Sequence, residues 1–176
     1  MSLHIIIDGY NLIRQSAELS ILDRRDMQSG REALLKMLSA YRSLKPHKIT
    51  VIFDGAAAPA YYQRRDRANG VSVVFSAPGQ TADSLIKNMA AQKRERALVV
   101  SSDRDISRFA ERQGAAVVGS LEFEQLLTRA VLMESGDSGA EEPEQEPSSR
   151  VGTRKKGPSR RLSKKERRHR KKINKL

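Results

Sequence analysis

The chain has 176 residues, with 33 Lys and Arg against 21 Asp and Glu, and it has no cysteine. Disulfides, thiolate metal sites and Cys nucleophiles are therefore excluded, and no apolar run reaches the length of a membrane span. The net charge of +12 is concentrated: residues 150–176 hold 14 of the basic residues and a single acid, Glu166, while the first 149 residues are close to neutral.

In chain order, Leu3 to Ile7 is a short apolar run ending in Asp8-Gly9, which predicts a buried strand. The residues before Asp8 lack the basic start of a signal peptide, and the reading is of a cytoplasmic protein. Leu34, Met37, Leu38 and Tyr41 recur at helical spacing, and Pro46 closes that segment. Lys48 to Phe53 is a second strand, again followed by Asp-Gly, and Val71 to Phe75 is a third. Thr81 has the chemistry of an N-cap for a helix carrying Leu85, Ile86 and Met89. A fourth strand, Ala97 to Val100, ends in Ser101-Ser102-Asp103. A short helix from Asp105 to Arg112 is stopped by Gly114, a fifth strand runs from Ala115 to Val118, and a last helix from Leu121 to Met133.

Strands without polar alternation, separated by helices, imply an α/β fold with a central parallel sheet of about five strands and helices on both faces. After Met133 the composition changes. The expected organisation is a folded α/β domain over 1–133, an acidic linker over 134–149, and a basic tail over 150–176 that is disordered or helical on binding.

In open α/β sheets, ligands bind beyond the carboxyl ends of the strands, and the acids gather there. Asp8 follows the first strand, Asp54 the second and Asp103 the fourth; Asp83 lies in the first turn of the helix after the third. Carboxylates crowded at one crevice repel unless a cation separates them. Oxygen-only donors suit Mg²⁺ or Mn²⁺, and such a site can activate water at a phosphodiester. Each Asp singly also fits a helix cap. Ser102-x-x-Asp105 has capping-box spacing, which makes Asp105 structural. Asn11 fits either a cap or a group that orients ligand or water. Dinucleotide and P-loop signatures are missing, as is the second Asp of an aspartyl-phosphate phosphatase. His4, His47 and His169 are not placed as a base for a Ser-His-Asp site.

The segments Asp8-Gly9-Tyr10-Asn11-Leu12-Ile13, Val51 to Gly55, Thr81-Ala82-Asp83 and Val99 to Asp103 together resemble the YacP-like NYN-domain family, a branch of the PIN-like ribonucleases. The resemblance runs from about Leu3 to Met133. It implies a Rossmann-like PIN/NYN fold, a Mg²⁺ or Mn²⁺ site and endonucleolytic cleavage of RNA, in some members messenger RNA at the ribosome. By motif it assigns Asp8, Asn11, Asp83 and Asp103 to the active site, with Asp8, Asp83 and Asp103 on the metal and Asp54 in support.

Tyr61, Tyr62, Arg64, Arg65 and Arg67, between the second and third strands, have the chemistry to stack on unpaired bases and meet phosphates. A solvated helix face is the alternative reading of the same stretch. In the tail, Arg160, Arg161, Lys164, Lys165, Arg167 and Arg168 are expected to contact the RNA backbone. Two rival functions share this sequence pattern. One is a non-catalytic RNA- or ribosome-binding protein that relies on the tail; the other is a small-molecule phosphohydrolase, for which a polyanion anchor has no use.

Overall fold

Among the described residues, six strands form one sheet in the order β3-β4-β2-β1-β5-β6. They are β1 (His4–Asp8), β2 (Lys48–Phe53), β3 (Arg65–Ala68), β4 (Val71–Phe75), β5 (Ala97–Val100) and β6 (Ala116–Val118). All neighbours pair in parallel except β3, which is antiparallel to β4. The computed structural model describes residues 2–57, 65–134, 164–174 and 176. Among the described residues no helix is long and apolar enough to cross a membrane.

The apolar runs are buried because the sheet is covered on both faces. On one face Ile5, Ile7, Val51, Phe53, Val73 and Phe75 pack with Leu34, Leu38, Tyr41 and Phe123. These last four come from α3 (Met27–Leu44) and α6 (Ser120–Glu134). On the other face Ile6, Ile52 and Val99 pack with Ile86, Ala90, Ile106 and Ala110, from α4 (Ala82–Lys93) and α5 (Arg104–Arg112). Alternate residues of one strand thus enter opposite cores, as the twofold strand period requires. Each buried Val, Leu, Ile or Phe among them contributes roughly 1.5–3 kcal/mol by leaving water.

The expected strands are present, with a sixth added. Arg65–Ala68, which the sequence presents as a loop or helix face, is instead edge strand β3. Its link to β4 is Asn69-Gly70, with φ of +47° and +84°. Both residues in the left-handed region make the two-residue hairpin turn that matches strand twist. Two further helices follow β1 directly, α1 (Gly9–Gln15) and α2 (Ala17–Arg25).

A seventh helix, α7 (Lys164–Ile173), lies in the basic tail and packs on β6. Composition predicts disorder here, or a helix formed only on binding. Over 164–173 the helix is formed, and its anchors among the described residues are specific. His169 Nε2 lies 2.8 Å from the carbonyl oxygen of Val117, and Lys172 Nζ donates to that of Gly114 at 3.3 Å. Beyond the helix, Tyr41 Oη donates to the carbonyl of Leu176 at 3.0 Å, and Leu176 joins the α3 core. The pairing of His169 with Val117 and of Lys172 with Gly114 sets α7 antiparallel to β6. Its amino end therefore points towards the carboxyl edge of the sheet.

Candidate active site at the carboxyl edge

Asp8 ends β1 and caps α1: its Oδ1 accepts the backbone N–H of Asn11 at 3.2 Å. Glycine must follow it. A Cβ on residue 9 would come within 2.3 Å of the Phe53 ring, so the chain turns from strand to helix flush against β2.

Ser101, at the end of β5, joins two of the acids. Its Oγ donates to Asp8 Oδ2 at 3.4 Å and accepts from Asp103 N at 3.1 Å. Asp103 caps α5, its Oδ1 accepting from Asp105 N at 2.7 Å and Ile106 N at 3.1 Å. Both of these bonds go to the same oxygen of Asp103. Thr81 caps α4 through Ser84 N at 3.2 Å, as expected, and sets exposed Asp83 in the first turn.

Asn11 ties the edge together. Its Oδ1 accepts from Ser102 N at 2.9 Å and from Ser120 Oγ at 2.7 Å. A backbone N–H only donates, so the amide oxygen must face Ser102, and the NH₂ is turned away from that pair of bonds.

The electrostatics show which acids share a field. Burial pushes the Asp8 carboxyl up to about 6, and the charges of Asp83 and Asp103 push the same way. The Asn11 N–H and the Ser101 hydroxyl oppose them. Asp54 is not among these influences. Asp8 is level with Ile52 in the β1–β2 register, so Asp54 lies two residues further out, where its Oδ1 accepts from Ala56 N at 3.0 Å. The structure thus brings three of the four expected carboxylates into one field and leaves the fourth at its rim.

Lys87, one turn along α4 from Asp83, carries no sequence signal that marks it as part of the site. It forms an ion pair with Asp105, and its ammonium is held above the usual range first by that hydrogen bond and then by the charges of Asp105, Asp83 and Asp103. The expected capping box is displaced by one residue. Asp103 is the cap, while Ser102 Oγ accepts from Ser120 N at 3.1 Å. Asp105 keeps a structural role, through Lys87 rather than through the backbone.

The donor set is all oxygen, and its most buried member carries an unfavourable negative charge that a hard cation would relieve. The chemistry therefore fits Mg²⁺ or Mn²⁺. Among the described residues, no three His, Cys, Asp or Glu side chains form a closed ligand group. The acids share an electrostatic field rather than a finished coordination sphere.

Of the expected RNA contacts, Arg65 and Arg67 are exposed on β3. Tyr61, Tyr62, Arg64, Arg160 and Arg161 lie outside the described residues. Lys164, Lys165, Arg167 and Arg168 fall in the amino-terminal half of α7, and Arg167 is exposed. None of the histidines is hydrogen-bonded to the acids among the described residues. His4 bonds Thr50 Oγ1 at the opposite edge and is held neutral, at about 4, first by burial and then by Lys48, Lys93 and Arg96.

A family model described as the YacP-like NYN domain matches residues 5–175. The match continues past Met133, where the sequence resemblance was expected to stop, and takes in α7. The "Uncharacterized protein YacP" of Bacillus subtilis is 26% identical over 86 residues, or 49% of this chain and half of that protein. The crystal structure of Rae1 (YacP) from Bacillus subtilis superposes with a TM-score of 0.66 at 23% identity, over 78% of this chain and 79% of that one. A point mutant of the same protein gives a TM-score of 0.63 at 23% identity, over 77% of this chain and 80% of that one.

Proposed function

The chain belongs to the YacP-like NYN family, and on that premise we propose that it is a divalent-metal-dependent endoribonuclease. Membership supports a nuclease-type function directed at RNA. The finer reading is hydrolysis of an RNA phosphodiester in the cytoplasm, with messenger RNA at the ribosome as the substrate setting the resemblance suggests. The observation that carries it is the common field of Asp8, Asp83 and Asp103 at the carboxyl edge, where Asp8 is held up at about 6.

Asp8, Asp83 and Asp103 would hold Mg²⁺ or Mn²⁺, which supplies an activated water and neutralises charge on the phosphodiester. The chain's own groups prepare that chemistry. Ser101 fixes Asp8 relative to Asp103. Asn11, clamped by Ser102 and Ser120, has its NH₂ available to hold water or a phosphate oxygen. Lys87 offsets part of the negative charge shared by Asp83, Asp103 and Asp105, which limits repulsion of the incoming polyanion.

The test is single-turnover cleavage of RNA in Mn²⁺ by the parent and by Asp8→Asn, Asp83→Asn and Asp103→Asn. Asn caps a helix about as well as Asp, so circular dichroism should remain native. Cleavage should fall at least a hundredfold, about the cost of losing 2.7 kcal/mol of transition-state stabilisation, and chelation should abolish it in the parent. Parental rates in both Asp8→Asn and Asp83→Asn would show the centre to be wrong. Binding of RNA without cleavage would favour the non-catalytic reading.

A further inference from the structure

At the amino edge of the sheet, opposite the carboxylates, is a cavity of about 570 Å³. It is lined by cations from three segments: Arg42 near the end of α3, Lys48 at the start of β2, and Arg67 on β3. Ser43, His47 and Ser72 add polar groups, and no acidic residue lines it. Among the described residues, Arg42, Lys48 and Arg67 form no ion pair.

The β3–β4 turn is shaped to admit one of these cations. The Arg42 guanidinium lies across Gly70, where a Cβ would approach its Nη1 to 2.7 Å. Gly70 is favoured by its φ of +84°, and its lack of a side chain leaves room for the Arg42 guanidinium beside the turn. The positive field extends along the same edge, since the charges of Lys48, Lys93 and Arg96 are all felt at His4.

Three like charges around one concavity repel each other unless an anion enters. The volume is that of a small-ligand site. Two guanidinium groups and an ammonium suit phosphate, because Arg presents paired N–H donors to phosphate oxygens. β2 separates Lys48 from Asp54 by roughly 20 Å at strand rise, so one phosphate cannot serve both edges.

We propose that this cavity binds a phosphate group through Arg42, Lys48 and Arg67, as a second site separate from the carboxylate edge. The phosphate is carried either by a free nucleotide or by an RNA strand, and the probes distinguish the two.

The full-length chain, kept in chelator, is titrated calorimetrically with pyrophosphate, with ADP and with a short RNA, beside Arg42→Gln and Arg67→Gln. Removing one charge-assisted hydrogen bond should weaken a bound probe about tenfold or more. Loss of pyrophosphate or ADP affinity in both variants assigns the site to a free nucleotide. Loss for the RNA alone, with the log–log salt slope reduced by about 0.7 per substitution, assigns it to a strand. The proposal is overturned if no probe binds the parent at millimolar concentration, or if both variants bind every probe as the parent does. Arg67 is exposed on an edge strand, so its replacement keeps the test valid even if Arg42→Gln disturbs the turn.

Discussion

Asp8 illustrates what a single residue in this fold has to reconcile. It is placed by β1, used by α1 as a cap, and surrounded by charge of its own sign. Its native carboxyl is held at about 6 against an ordinary 3.8. Between those values the unfolded chain has released the proton while the folded chain still holds it. The native state then binds more protons, so stability falls as pH rises through that window. Without metal, Asp8→Asn removes this penalty, which is on the order of 2–3 kcal/mol when fully developed. Chemical denaturation in chelator should show the variant gaining on the parent between pH 4 and pH 7. Parallel profiles would mean that Asp8 is not held in an unfavourable environment. The acids themselves are legible in the sequence, because each lies within three residues of the end of an apolar run or of a capping Thr. Ser101 and Lys87 are not. Their roles arise when β5 meets β1 and when α4 meets α5, and no local pattern encodes either approach.

Among the elements, legibility follows burial. Strands β1, β2, β4 and β5 are predominantly apolar and declare themselves. β3 reads Arg-Asp-Arg-Ala and has no apolar signal; its marker is the Asn69-Gly70 turn that pairs it with β4. Its charge also suits its place, because exposed edge strands resist unwanted pairing when charged. The other edge, β6, is protected differently, by the cover of α7. Composition conceals that helix, since its docking depends on His169, Lys172 and Leu176 and not on an apolar stripe. Tyr41 reports on the attachment. Its hydroxyl is buried and pushed up to about 12 by that burial, and it donates to Leu176. Tyr41→Phe leaves that carbonyl without its donor, so the full-length protein should lose about 1 kcal/mol. In a chain truncated after residue 134 the same substitution should cost much less. Equal costs in the two backgrounds would mean that the chain end does not dock on Tyr41.

At the scale of the whole molecule, charge is sorted by position. Acids occupy the carboxyl edge, cations line the cavity at the amino edge, and the largest basic reserve lies in residues 150–176. An edge made of carboxylates is a poor place to attract a polyanion, so under the proposed function affinity has to be supplied from elsewhere. The antiparallel course of α7 along β6 carries the start of that helix towards the carboxyl edge. Arg154, Lys155, Lys156, Arg160 and Arg161 precede the helix in sequence and are distinct from its described anchors His169, Lys172 and Leu176. Changing all five to Gln therefore tests affinity without removing the anchors at His169, Lys172 and Leu176. Each phosphate of a single strand that is no longer neutralised flattens the dependence of log affinity on log salt by about 0.7. If all five residues meet phosphates, the slope should fall by roughly 3.5, with the melting temperature and the single-turnover cleavage rate at saturating RNA unchanged. An unchanged slope would show that this stretch does not touch RNA. A fall in the saturated cleavage rate would show instead that these residues act within the bound complex and do more than gather substrate.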